Sequence, residues 1–356
     1  MNDDLPGQLI SPIRTISRRV LNQKVAAALV LALPGKERQA EGKRRRRKRW
    51  QRLRKKCRRM GGTFFKKGTC CNGAARVCIG RCAFPSIQAA ILGANAGATI
   101  SLCPGTYREN ITFSRDVQIV GAGADRTILQ GTGSTSVVTN FAPRVTLEHL
   151  RITGGAADYG AGISNSGDMT LNHCAITGNH ARIGGGGIVN GVSDRFPERG
   201  KLRLSDCTVS GNRVSQDGDR SGSGGGIANA DGVVTLINTV VSDNFVGTDD
   251  PPGGEGPVII TFISTGGGIS NGSGSLTLIN SEVRGNVADA GGGIDNIDGV
   301  VTLDAASRVT GNTARLEPKG GGIHNLAGTV TLASADNVTD NTPNNCTGAA
   351  VPLCQG

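Results

Sequence analysis

Apolar residues in this chain fall into short alternating runs, such as Val233-Val234-Thr235-Leu236 and Val300-Val301-Thr302-Leu303, closed off by glycine or asparagine. The alternation has the strand period of two rather than the helical 3.6, so the elements predicted are short β-strands. Glycine and asparagine both tolerate the left-handed backbone that tight corners require. One phrase, Gly-Gly-Gly-Ile-x-Asn, recurs six times, at 160–165 (as Gly-Ala-Gly-Ile-Ser-Asn), 185–190, 224–229, 266–271, 291–296 and 320–325. Its isoleucines are 25, 39, 42, 25 and 29 residues apart, so one coil takes about 25 residues and the longer spacings add an insertion. A repeat this short means a solenoid. The expected fold is all-β: a single-stranded parallel β-helix with three short strands per coil and a right-handed wind.

In such a solenoid the coils stack about 4.8 Å apart, and equivalent residues lie above one another. The phrase ends on one asparagine row: Asn165, Asn190, Asn229, Asn271, Asn296 and Asn325. A second row, in the context (Gly/Asp)-Asn, is Asn179, Asn212, Asn244, Asn286, Asn312 and Asn341. Stacked carboxamides can each donate to the next, so both rows are read as structural ladders. Three residues after the core leucine stand Cys174, Cys207, Thr239, Ser281, Ala306 and Ala335, all small, as an inward stack requires. Cys174 and Cys207 belong to neighbouring coils, where a disulfide and a row of free thiols are both open.

Charge separates a leader from the repeats. The formal net charge is +11, but residues 1–60 hold 19 Lys and Arg against 4 Asp and Glu, which leaves the rest mildly acidic. Residues 1–40 read as an export signal. Arg18-Arg19, suggestive of a twin-arginine type, precedes an apolar run at 25–33 that is too short to span a bilayer. Residues 41–60, with Lys and Arg filling most of 43–59, read as a disordered tether that would hold any polyanion, nucleic acid included, by charge alone. Residues 57–83 are cysteine-dense, with Cys57, Cys70, Cys71, Cys78 and Cys82, followed by Cys103 in the first coil. That spacing suits a small disulfide knot better than zinc, and Cys346 and Cys354 suit a separate bridge in the tail at 346–356. Such cysteine use points to an oxidising compartment, and so to a secreted or cell-surface protein.

The solenoid proper is expected over 84–345. Residues 85–91 read as a short helix with Ser86 at its N-cap, ended by Gly97 and covering the first coil. After it come Thr99-Ile100-Ser101-Leu102, Pro104-Gly105-Thr106-Tyr107 and Arg108-Glu109-Asn110-Ile111. This stretch resembles the first coils of pectate-lyase-like right-handed β-helix proteins, the superfamily that includes pectinesterases. The Gly-Gly-Gly-Ile-x-Asn phrases resemble those of bacterial β-helix repeat proteins and, more loosely, of polymorphic outer-membrane proteins. The resemblance covers residues 84–342 and implies a fold. The matched residues are corner and core positions, which carry no activity across.

The chemistry is sought elsewhere. Outward strand positions are mostly Ser, Thr, Asn and Ala; Asp295 and His324, in the same slot of neighbouring coils, are expected as a surface pair without a role. Insertions at 213–223, 245–265 and 313–319 leave one corner and should gather on one edge, as loops of a solenoid do. They hold Asp217, Asp219, Asp249, Asp250 and Glu255, whose oxygens suit calcium or a polysaccharide. The residues thus admit three roles: binding or structure toward polysaccharide or cell-envelope polymers, a polysaccharide lyase or glycoside hydrolase, and polyanion binding by the leader. Aromatics make up only 3% of the chain, which counts against an aromatic-lined sugar groove.

Overall fold

The computed structural model describes residues 48, 51–52, 63–64, 70–71, 75–77 and 84–355, apart from 192–199, 216–220, 248–263 and 317–319. The export signal, most of the basic tether, and Cys57, Cys78 and Cys82 lie outside the described residues. The chain divides into two units, 1–70 and 71–356; the first contributes the strand Thr63–Phe64 to the description, and the second holds the solenoid.

Four parallel sheets run along the solenoid; every coil passes through sheets 1, 2 and 4 in the same order, and six of them add a strand of sheet 3 between the last two. Sheet 1 has ten strands, from Ala75–Val77 to Thr329–Leu332, and includes the Val-Thr-Leu runs. Sheet 2 has nine, among them Arg151–Thr153 and Val240–Ser242. Sheet 3 has six, from Ala156–Tyr159 to Thr313–Ala314. Sheet 4 has nine, carries the Ile-x-Asn phrases and ends with Cys346–Gly348. Every pairing between these strands is parallel and joins one coil to the next, for example Val233↔Ser275, Val234↔Leu276 and Thr235↔Thr277. The chain is a parallel β-helix.

The core follows from the period of two. Val234 and Leu236 face in and are fully buried; Ile227 and Val241 close the same coil from sheets 4 and 2. Each such aliphatic contributes about 1.5–3 kcal/mol relative to an exposed position. Corners are set by left-handed residues. Gly211 (φ 60°) and Asp243 (φ 56°) directly precede Asn212 and Asn244, which explains the (Gly/Asp)-Asn context. In the phrase at 224–229, Gly224 has φ 63°, while a Cβ on Gly225 or Gly226 would lie 2.4 or 2.6 Å from a carbonyl oxygen of the next coil. The triple glycine therefore combines one conformational need with two close approaches.

Three expectations are corrected. Coils that carry sheet 3 have four strands rather than three, because the residues after the second asparagine pair across coils before any loop begins. Arg213–Ser215, Phe245–Gly247 and Thr313–Ala314, expected as loop, are strands. The small inward stack runs from Cys174 through Cys207, Thr239 and Ser281 to Ser307, each backbone N–H donating to the next side chain at 3.1–3.4 Å, and not to Ala306. The corner before Ser307 has one extra residue, closed by Asp304 accepting from the Ser307 N–H at 2.9 Å and hydroxyl at 2.6 Å. In the following coil Asn337, at the end of a 3-10 turn capped by Ser334, replaces Ala335 and donates to the Ser307 carbonyl at 2.7 Å. The helix runs Ile87–Gly93 with Ser86 as N-cap (Ala89 N–H to Oγ, 3.0 Å), and it stops short of Gly97. Glu109 accepts from the Ile87 and Gln88 N–H groups at 2.8 and 3.1 Å, placing a carboxylate at the positive end of this short helix.

Candidate functional site

The two asparagine rows form continuous hydrogen-bonded chains. The first begins one coil earlier than its repeated phrase: Asn140 donates to Asn165 at 2.8 Å, and the chain runs to Asn325 with every link between 2.7 and 2.9 Å. The second runs from Asn179 to Asn341 and on to Asn345, with links of 2.9–3.1 Å. Most of these Nδ2 groups also donate to a backbone carbonyl; Asn244, for example, donates to Val209 O at 3.0 Å. Up to Asn341 these side chains are buried, and all are engaged in the scaffold; Asn345, at the end, is half-buried.

Asp217, Asp219, Asp249, Asp250 and Glu255 lie outside the described residues. The strands from which their loops depart are described. Arg213 pairs with Phe245 on sheet 3, Phe245 with Val287, and Val287 with Thr313, so the loop roots share one sheet. There the Phe245 ring takes the Arg213 guanidinium 4.2 Å from its centroid and that of Arg315 at 5.2 Å. Burial, together with the positive charge of Arg315, lowers the pKa of Arg213. Arg315 is also held by Asp289 through an ion pair of 2.7 Å. No group of three or more His, Cys, Asp or Glu able to hold a metal occurs among the described residues.

Asp295 and His324 are not a surface pair. Asp295 Oδ1 lies 2.7 Å from His324 Nδ1, and the two side chains are only 3% and 9% exposed. They belong to the x row of the Ile-x-Asn phrases, where Val189, Ala228 and Ser270 precede them and Thr347 follows. The row is covered because the first glycine of each phrase turns back over it: a Cβ on Gly291 would come within 2.9 Å of Asp295, and one on Gly320 within 3.0 Å of the Thr347 hydroxyl. Two bulky polar groups thus stand where most coils have a small residue, and they satisfy one another. The buried Thr347 hydroxyl has no hydrogen-bond partner among the described residues.

Sequence reasoning noted polar outward positions without seeing their register. On sheet 1 the central outward column is Thr99, Gln118, Thr146, Thr170, Arg203, Thr235, Thr277, Thr302 and Thr331, one residue from each of nine consecutive strands. The signal was present as the Thr in each Val-Thr-Leu run. It becomes a surface only once the runs are stacked.

The cysteines divide by environment. Cys346 and Cys354 form a disulfide, and Cys103 is disulfide-bonded as well. Cys174 and Cys207 are free thiols buried in the core. The Cys174 thiol is hydrogen-bonded to Cys207 and desolvated, which pushes it well above the ordinary thiol range. The same hydrogen bond lowers the Cys207 thiol, but both side chains are buried, so native protein at pH 8 is expected to resist alkylation at these two positions, and both should react once the chain is unfolded in guanidinium. Peptide mass mapping of the native and unfolded reactions checks this.

No helix among the described residues is long and apolar enough to cross a membrane. No family model matches the chain, and no curated protein matches it. Among solved structures, it is similar to a pectin methylesterase from Aspergillus niger in penultimately deglycosylated form, with 12% identity, a TM-score of 0.43, and coverage of 80% of this chain and 92% of that one. The deglycosylated form of the Aspergillus niger enzyme gives 12% identity, a TM-score of 0.37 and the same coverage. Pectin methylesterase from carrot gives 11% identity and a TM-score of 0.34, over 78% of this chain and 88% of that one. At such identities a likeness concerns the path of the chain; the fold itself rests on the register of the four sheets.

Proposed function

We propose that this chain is a β-helix protein of the cell exterior that binds a polysaccharide of the envelope or its surroundings along the outer face of sheet 1. The observation that carries this reading is the threonine column, with seven hydroxyls in one register on a ten-stranded sheet. Hydroxyl groups at a fixed spacing of about 4.8 Å can exchange hydrogen bonds with those of an extended sugar chain. The two asparagine chains hold the scaffold rigid, so little ordering is left for binding to pay for. The Cys346–Cys354 disulfide supports an oxidising compartment.

The test is co-sedimentation of the full chain with a panel of insoluble polysaccharides, neutral and anionic. Saturable retention on at least one polymer is expected; failure to be retained by any of them would sink the reading. A second reading, a lyase or hydrolase, is favoured by the Asp295–His324 pair on sheet 4, a carboxylate and an imidazole in direct contact. Soluble sugar in the supernatants of the same incubations would support it, provided His324→Gln removes the release and leaves co-sedimentation intact.

A further inference from the structure

We infer that the ligand of sheet 1 is a neutral polysaccharide rather than a uronate or other anionic polymer, and that it lies on four C-terminal strands: Val233–Ile237, Ser275–Ile279, Val300–Leu303 and Thr329–Leu332. This rests on the polysaccharide reading above.

The first observation is charge. The outward side chains of those strands are Val233, Thr235 and Ile237, then Ser275, Thr277 and Ile279, then Val300 and Thr302, then Thr329 and Thr331. None is charged. On the preceding strands of the same sheet the outward columns contain Glu148, Asp168, Lys201 and Arg203. On sheet 2 of the same coils they contain Glu282, Arg284 and Arg308. The preference of strands for threonine and valine acts equally on all these faces, so it does not account for the contrast.

The second observation is exposed apolar surface. Of the nine large hydrophobic side chains exposed among the described residues, Val233, Ile279 and Val300 point out from these strands, and Ile297 and Leu326 stand at the turns entering the last two. Exposed aliphatics concentrated on one face mark an interaction surface.

The composition of the face selects its occupant. Protein interfaces are anchored by Trp, Tyr, Met and Arg, and this face has none of them. It offers instead a central line of hydroxyls flanked by branched methyl groups. That pattern matches a sugar chain, which presents C–H groups on its ring faces and hydroxyls at its edges. A carboxylate laid against the aliphatics would lose its water with no cation on these strands to replace it. Because each strand repeats the same group about 4.8 Å from the last, successive sugars meet equivalent contacts and weak individual bonds add.

The experiment compares the full chain on insoluble cellulose and chitin with cross-linked polygalacturonate, at about 0.5 M salt so that the basic leader is screened. Retention is expected on a neutral polymer and should persist in that salt. Thr277→Glu should weaken it about tenfold or more, and Ser210→Glu, outward on sheet 2, should not change it. Retention on polygalacturonate alone would overturn the inference while leaving the polysaccharide reading standing. Equal loss in both variants would overturn the placement on sheet 1. A dimer in sedimentation velocity that Thr277→Glu dissociates would assign the face to a second copy of the chain and overturn the inference too. Retention on no polymer would remove both readings together.

Discussion

Replacing Asp295 with alanine is expected to lower the unfolding free energy by about 1–3 kcal/mol, the cost of leaving the buried His324 Nδ1 without its hydrogen-bond partner, with a further loss for the vacated volume. The side chains are almost wholly enclosed, and the carboxylate is the only hydrogen-bond partner of His324 Nδ1 among the described residues. The alanine also leaves a gap beneath Gly291, whose backbone packs directly on Asp295. Urea unfolding of the two proteins measures the difference; a loss below about 1 kcal/mol would mean that the pair behaves as a solvated surface contact. The double replacement Asp295→Ser with His324→Ala supplies the control. It restores the small residues that Ala228 and Ser270 place in the same row, so it should be less damaging than Asp295→Ala alone. That ordering, read together with the single variants Asp295→Ser and His324→Ala that complete the double-mutant cycle, separates the broken pair from the lost volume.

The second large effect is expected at Asn244, in the middle of the second asparagine chain. Its Oδ1 accepts from Asn212 twice, from Nδ2 and from the backbone N–H, both at 3.0 Å. Its Nδ2 donates to Asn286 Oδ1 at 2.9 Å and to Val209 O at 3.0 Å. Alanine strands the Asn212 N–H and takes a donor from Val209 O, in a place that water does not reach. Each buried group left unsatisfied costs about 1–3 kcal/mol, so the sum is several kcal/mol. Asn244→Asp keeps the shape but cannot donate, and it should recover only the Asn212 side of the link. Amide hydrogen exchange reads the effect at its source: the Asn212 N–H should lose protection in Asn244→Ala and keep it in Asn244→Asp. Contacts in a solenoid join neighbouring coils only, so exchange several coils away should change little.

Much of the architecture could be read because a β-helix writes its constraints into the chain at fixed intervals. The isoleucine of each phrase has to stack on the next, the asparagines have to link, and the residue before Asn212 or Asn244 has to be left-handed, which favours Gly or Asp there. Where the constraint lacked its usual wording, the reading stopped short. Asn140 continues the first chain from a Val-Thr-Asn strand that has no glycine phrase before it, and Asn345 ends the second from a turn. Ser307 was missed for a different reason: one extra residue at the Asp304 corner shifts the count, and only the hydrogen bonds that close the corner show which side chain turns inward.

The candidate site was less legible than the scaffold, because exposure belongs to the assembled coils. Asp295 and His324 were recognisable as neighbours from their common slot. Their burial depends on the glycine turn folding back over that slot, which nothing in a strand pattern reveals. Thr235, Thr277, Thr302 and Thr331 each look ordinary in sequence, since threonine is a common outward strand residue. Only the pairing of consecutive strands turns them into one column and sets Val233, Ile279 and Val300 beside it. The sequence by itself determined the solenoid, its period, its ladders and its corners, because these repeat within a single coil and obey local backbone and stacking rules. The tertiary structure alone decided the fourth sheet, the enclosure of the Asp295–His324 pair and the uncharged outward columns of the last four strands of sheet 1. Each of these depends on which groups from coils tens of residues apart are left facing one another or facing water.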